Sequence, residues 1–536
     1  MPDSSLPVDT GLKGLDFLMI LLYLGITFGI AVGFGRKQDS TDDFFVGGRR
    51  IPWFAAGLSI LATLFSTLSY LGAPGEVIKH GIGFYAGYLA IPFSLLVVTR
   101  LWIPFYMRLG LTSAYEYLER RFDRRLRIVG ASLFILLRIG WMSMVIFAAS
   151  MALDRVKGPD LLFLPGPDLY WWIAGVGVVA AVYTACGGMQ AVIWTDVLQC
   201  GLLIAGALMV IGAVMFRTGT GPLEWCQAAR AGAVHHPPLP LFSWDLTVRV
   251  TIVTAMIHNF FWTICTHGSD QVVLQRYFST SSLGEARRSY YINVAADILM
   301  VVLLSLCGFA LLSYYRVHLD ELPAGWTLAT SADKLFPNFL ASQLPVGCAG
   351  LIISAFLCDA IQTLESGANS ITAVVTTDLM TSSRGSSTVD EDEPSARRRL
   401  AFVRRFSVVV ALAASFNAAL IAYLAQTQNL TIIDMMPKFF NLFVGPLAAM
   451  FFVGMFLPRC TGRSVSVGVT AGLIVSIVWS WGRELFGWER SPTILLAIPI
   501  PCVTTFLVSA LASLFLERRG PNPGRAFTRA SVVRGG

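Results

Sequence analysis

Apolar stretches of about twenty residues recur from one end of this chain to the other, and that feature alone excludes most folds. They fall near residues 12–34, 52–78, 82–108, 126–155, 169–186, 189–217, 247–267, 287–316, 345–380, 401–426, 429–457, 464–484 and 492–516. A stretch of that length matches the thickness of a bilayer when it is helical. With 55% hydrophobic and only 14% charged residues, and a mean hydropathy of +0.65, the chain reads as an all-α polytopic membrane protein of about thirteen transmembrane helices. An odd number of spans puts the termini on opposite sides. Most of the 40 basic residues lie in one alternate set of connections and the C-terminal tail, above all in "RLGLTSAYEYLERRFDRRLR" at 108–127. This predicts an N-terminus outside and a cytoplasmic C-terminus in a cell membrane. It also accounts for the net charge of +7 without a nucleic-acid partner.

The remaining composition narrows the function classes. Cys186, Cys200, Cys265, Cys307, Cys358 and Cys502 lie in apolar segments without metal-ligand spacing and read as small core residues. The first apolar segment is too long for a cleavable signal and lacks an A-x-A site, so it is expected to remain as a span. The stretch "TSSRGSSTVDEDEPSARRR" at 381–399 is too polar to pack and is predicted to be disordered. Neither a P-loop nor a nucleophile or metal-binding arrangement stands out, so an enzyme is the weakest reading.

Four stretches carry more than hydrophobicity. In "FFVGGRRIPWFAAGLSILATLFSTLSYLGAPGE" at 44–76, Ser59, Thr63, Ser66, Thr67 and Ser69 thread an apolar span, and Gly72, Pro74 and Gly75 predict unwinding at its outer end. Freed carbonyls at membrane depth persist where they line a cavity or hold an ion; the competing reading is close packing of small residues. In "YTACGGMQAVIWTDVLQ" at 183–199, Gly187 and Gly188 make a turn and Asp196 follows inside the next span. "THGSDQVVLQRYFSTSSLGEARRS" at 266–289 ends a span in a polar loop with Asp270, Gln271, Gln275 and Arg276, or else merely caps a solvated helix. Finally, "FLCDAIQTLESGANSITAVV" at 356–375 puts Asp359, Gln362, Thr363, Ser366 and Ser370 on one helical stripe, with Glu365 pointing elsewhere. A charged group at mid-bilayer costs about 2.5–3.5 kcal/mol on insertion scales, so this stripe must face protein or water. Several oxygens on a stripe are what a hard monovalent cation needs to replace its hydration shell.

The runs "FFVGGRRIPW", "YTACGGMQAVIWTD", "DQVVLQRY", "FPNFLASQLPVGCAGLIISA" and "NSITAVVTTDL" occur in the order of the signatures of the sodium:solute symporter family, which the chain resembles over about residues 40 to 460. "LGAPGEVIKHG" looks most like the branch with multivitamin, monocarboxylate and iodide symporters, and "THGSDQ" like bacterial members of unassigned substrate. The resemblance implies a five-plus-five inverted-repeat core of the leucine-transporter type: a first peripheral helix at 12–34, repeats at 52–217 and 247–457, two peripheral helices at 464–516 and a tail at 517–536.

The resemblance further implies a sodium ion as coupling ion and no other cofactor. Its ligands would be the carbonyls of Ala62, Phe65 and Asp359 and the side chains of Gln362 and Thr363, where only Thr363 keeps the family's hydroxyl. Asp359 stands where a small residue is usual, so its carboxylate either joins the ion, carries a proton in its place, or pairs with Arg138 or Lys438. A second cation site would use Asp196 with Ser366. At the positions of the family's sugar contacts stand Ser69, Tyr88 and Asp297, which lowers the case for a hexose but leaves another polyol open. Ser66 and Thr266 join them as candidate solute contacts. Arg138 and Lys438 lie inside spans; a guanidinium there forks a carboxylate, so an anionic solute, a carboxylate or an acidic sugar, is one expectation. The leading reading is therefore a symporter that couples inward cation flow to solute uptake across the lipid bilayer, with a proton-coupled, facilitative or sensing member as the alternative.

Overall fold

A computed structural model describes residues 13–36, 38, 40–156, 168–230, 239–323, 325–328, 331–380, 393–428, 440–488, 490, 492–517 and 523–534. The helices that build the bundle are α1 (Gly14–Gly35), α2 (Trp53–Leu64), α3 (Thr67–His80), α4 (Arg124–Val156), α5 (Asp168–Cys186), α6 (Met189–Thr218), α7 (Ile252–Ser269), α8 (Gln271–Phe278), α9 (Leu283–Val317), α10 (Ala332–Ser342), α11 (Cys348–Val374), α12 (Glu393–Gln428), α13 (Asn441–Phe456), α14 (Gly462–Phe486) and α15 (Pro499–Leu516). Among the described residues nine helices are long and apolar enough to cross a membrane, and α2, α5 and α13 are shorter apolar pieces. The apolar stretches read from the sequence fall on helix, the one at 82–108 as consecutive 3-10, α- and π-helical turns from Gly81 to Leu109 that continue α3, although residues 429–439, Lys438 included, lie outside the described residues.

Two stretches expected to be single elements are divided. The span at 52–78 is two helices joined at Phe65 and Ser66, and the polar segment after 267 is a second helix, α8, entered through an extended Asp270 (φ −82°, ψ 114°). Each broken element lies at the head of one of the two halves expected for the core. Conversely, the Gly72–Gly75 region is not unwound: α3 continues through it with Pro74 inside. Pro74 forfeits one backbone hydrogen bond, but α9 packs so closely here that a methyl on Gly308 would lie 2.8 Å from the Pro74 carbonyl. Only a bare glycine allows that approach, and the packing holds the helix together. The polar stretch at 381–399 is also helical from Glu393 onward, because α12 begins there; residues 381–392 lie outside the described residues.

The polar stripe sits at the centre of the bundle. Helix α11 touches α1, α2, α3, α4, α5, α6, α8 and α12, and 83% of its most apolar window is buried, against 22% for α1. That position resolves the conflict between its carboxyls and lipid, since it meets protein on nearly all sides. One end of α11 is fastened by α1: the buried Asp16 carboxylate accepts from the N–H groups of Gly347 (2.8 Å) and Gly350 (2.9 Å). These are donors that a helix start leaves without internal partners. We expect Asp16→Ala to cost about 0.5–2 kcal/mol, read as a lower melting temperature without a change in ion selectivity.

The basic stretch at 108–127 also has structural work. Arg121 is 1% exposed and donates to the carbonyls of Gly454 (2.8 Å), Leu457 (2.8 Å) and Cys460 (3.3 Å), capping the end of α13. Arg127 donates to Asp378 (2.7 Å) and to the Thr377 carbonyl (2.7 Å) at the π-helical turn that follows α11. Removing the Arg121 side chain leaves buried carbonyls without donors, so Arg121→Ala is expected to destabilise by about 1–3 kcal/mol, measurable as a lower denaturation midpoint.

Candidate cation site and solute cavity

The break between α2 and α3 follows from its residues. Phe65 is extended (φ −100°, ψ 107°) and its N–H returns to the Leu61 carbonyl (2.8 Å). Ser66 then starts a new helix by accepting from the Ser69 N–H at 3.4 Å. The last carbonyls of a helix have no N–H one turn ahead, so the Ala62 carbonyl and the Phe65 carbonyl are exposed to other partners within the bundle. Both α2 and α3 touch α11.

On α11 the stripe divides by depth. Asp359, 2% exposed, accepts from Gln199 Nε2 of α6 at 3.0 Å, so the carboxylate meets a neutral amide of α6. Gln362 donates through Nε2 to Cys358 Sγ (3.1 Å) while its Oε1 is buried without a hydrogen-bond partner among the described residues. Thr363 is half-buried. One turn further on, Ser366 and Ser370 face α8, where they bond Arg276 (3.0 Å) and Gln275. Glu365 leaves the stripe, as its spacing predicts, and reaches the Gly188 N–H of the 187–188 turn at 3.3 Å. Buried oxygens without donors are costly, and the Gln362 and Gln199 amide oxygens are both of this kind. A desolvated cation would satisfy such acceptors.

The two residues expected at a second cation site are bridged by a side chain. Between Asp196 and Ser366 lies the guanidinium of Arg276, whose Nη2 donates to Asp196 at 3.1 Å and to Ser366 at 3.0 Å. Its Nε donates to Ser59 Oγ of α2 (2.7 Å), and Ser59 in turn bonds Asp196. Arg276 is fully buried and ties α2, α6, α8 and α11 together. Sequence reasoning flagged it as part of a polar loop and missed this role. The available signal was an arginine six residues after the acid Asp270, in the same polar segment.

Arg138 is occupied in the same manner. It forms a two-pronged ion pair with Asp270, through Nε at 3.2 Å and through Nη2, and both are buried. Its partner is therefore the break residue at the end of α7, and not Asp359. Asp270 also caps α8 by accepting from the Val272 N–H (3.0 Å).

Above the α2–α3 break lies a cavity of about 1880 Å³. Leu61, Leu64 and Phe65 from the break and Phe356 and Leu357 from α11 contribute to its wall, one turn from the candidate cation ligands. Ser69, Tyr88 and Asp297 line it; Ser66, Arg138 and Thr266 do not. The Thr266 hydroxyl is instead spent on carbonyls of its own helix, Trp262 (2.8 Å) and Thr263 (3.3 Å).

Residues 44–474 match the sodium:solute symporter family. The chain is 31% identical over 466 residues to a sodium/sialic acid symporter of Aliivibrio fischeri, covering 87% of each chain. It is 30% identical over 480 residues to the sodium-coupled monocarboxylate transporter 1 of Homo sapiens, covering 88% of this chain and 72% of that one. Its structure is similar, with a TM-score of 0.79 and 27% identity over 96% of this chain and all of the other, to a Na+-coupled sialic acid symporter solved in a substrate-bound outward-open state with a novel Na+ site. With the match covering four-fifths of its length and a relative at 31% identity aligned over 87% of each chain, this chain is a multi-pass membrane protein that belongs to the sodium:solute symporter family.

Proposed function

We propose that the chain is a secondary symporter in which inward sodium flow drives uptake of a small organic solute by alternating access. The sodium ion sits between the carbonyls of Ala62 and Phe65 and the Asp359, Gln362 and Thr363 positions of α11. The observation that carries this reading is a helix break at the floor of a deep cavity, facing a buried helix whose amide oxygen at Gln362 lacks a donor. The half-helix ends of a broken element supply what a bare cation needs. Moving one charge through 100 mV is worth about 2.3 kcal/mol, or about fifty-fold accumulation at 1.36 kcal/mol per decade. The charge asymmetry of the connections supports an N-terminus outside, with the cavity open on that side.

Two finer questions have distinct supports. The names of the relatives favour an acidic sugar as solute, but the arginine read as its receptor is held by Asp270 and is not in the cavity wall. Proton coupling has one support, the Asp359 carboxylate held inside the bundle on the neutral amide of Gln199. Purified protein in liposomes decides the main point: sodium-dependent, voltage-sensitive uptake of at least one solute from a broad panel is expected, and its absence defeats the reading. Asp359→Asn is expected to weaken sodium dependence; unchanged ion dependence together with an unchanged pH profile removes Asp359 from the coupling.

A further inference from the structure

The cavity wall carries more negative than positive charge. Its acids are Glu76, Asp297, Asp320 and Glu321, and its basic residues are Arg249 and Lys334. Arg249 is already matched, its two terminal nitrogens lying 2.7 and 2.6 Å from the Glu76 carboxylate oxygens. Lys334 stands 5.5 Å from the centroid of the Trp326 ring. Both belong to residues near helix ends or connections, whereas Asp297 comes from the middle of α9. Asp297 Oδ1 accepts from the Tyr88 hydroxyl at 3.0 Å, and among the described residues Asp297 makes no further hydrogen bond. The buried arginines Arg138 and Arg276 are both committed to other carboxylates.

A carboxylate with an open oxygen facing a cavity, without a basic side chain beside it, attracts a positively charged donor and repels an anion. The rings of Tyr85, Tyr88 and Trp262 line the same space, and aromatic faces favour a cation over an anion. The net negative wall adds a longer-range preference for cations entering from solution. Resting on the symporter reading above, we propose that the Tyr88–Asp297 pair, at the positions of the family's sugar contacts, here takes a small solute bearing a protonated amine. Tyr88 fixes one carboxylate oxygen, which leaves the other aimed for the ammonium group; the aromatic wall accepts the apolar part of the solute. An acidic solute without an amine has no counter-charge here.

The test uses the full chain, purified and reconstituted, with matched probes of similar size: glucosamine and ethanolamine as amines, N-acetylglucosamine as a neutral control, and glucuronate and N-acetylneuraminate as acids. Melting temperature in saturating sodium and sodium-driven uptake are both read. At least one amine is expected to stabilise the protein and to be taken up, with apparent affinity at least 100-fold above its neutral or acidic counterpart. Asp297→Asn is expected to abolish that preference, and Tyr88→Phe to weaken it about ten-fold while the sodium-induced shift remains in both. Retention of the sodium shift shows that each variant is folded, and its loss in the unmodified chain would count against the symporter reading and not against this one. A sodium shift accompanied by binding of acids or neutral probes only, by no probe at all, or by an amine preference that survives Asp297→Asn overturns the proposal.

Discussion

Replacing Thr363 by alanine is expected to raise the sodium concentration for half-maximal uptake by about 10- to 100-fold, the range seen when a group that supports a bound metal ion is removed. Thr363 is the one side chain in the proposed site that offers a hydroxyl. Its neighbours on α11 are an amide at Gln362 and a carboxylate at Asp359 that is bonded to Gln199. Thr363→Ser keeps the hydroxyl and should retain most of the affinity, which separates ligation from packing. Measured as sodium titrations of uptake at fixed solute, an alanine variant with unaltered half-saturation would remove Thr363 from the site.

Arg276→Ala is expected to have the largest effect on the protein as a whole. Breaking a buried ion pair by deleting one partner costs about 3–5 kcal/mol, because the remaining charge is stranded. Here Asp196 is 2% exposed, and Ser59 and Ser366 lose a donor at the same time. Denaturation should show the loss directly, together with collapse of uptake. Replacing both partners by apolar residues of similar volume, Arg276→Met with Asp196→Leu, is expected to restore part of the stability. A second consequence concerns stoichiometry. A guanidinium already sits between Asp196 and Ser366, so the position that the sequence offered for a second cation is filled by a tethered one. Sodium titrations of uptake are therefore expected to give a Hill coefficient near 1; a value approaching 2 would mean that Arg276 gives way to an ion.

Much of the fold was legible because hydrocarbon thickness sets helix length, and helix length is written directly in the sequence. The location of every apolar stretch follows from that rule. The breaks were less legible. Gly72, Pro74 and Gly75 are the residues that favour unwinding, yet α3 runs through them because α9 packs against their backbone, while the chain opens at Phe65 and Ser66, where the local signal is only a serine able to cap the next helix. Tertiary packing overrode propensity at Gly72–Gly75.

The candidate site was legible as residue types and much less as partners. Asp196, Ser366, Asp359 and Arg138 all stood out as polar groups in apolar surroundings. Their partners are separated from them in sequence by 80 residues for Arg276 and Asp196, 160 for Gln199 and Asp359 and 132 for Arg138 and Asp270. Helical periodicity states which face a residue occupies but not which helix it meets. Arg138 looked like an anion receptor for that reason, and only the packing of α4 against the break at Asp270 shows its charge already matched.

The central claim is a sodium ion held between the α2–α3 break and α11. Its most direct test is the melting temperature of the purified chain in sodium against equal concentrations of potassium, at constant ionic strength and without solute. Binding to the folded state alone stabilises by mass action, by about 2.7 kcal/mol at a hundred times the dissociation constant. The account predicts a saturable rise in sodium, absent in potassium and strongly reduced in Thr363→Ala. Equal melting in the two salts, or a sodium-specific rise that Thr363→Ala leaves intact, would contradict it.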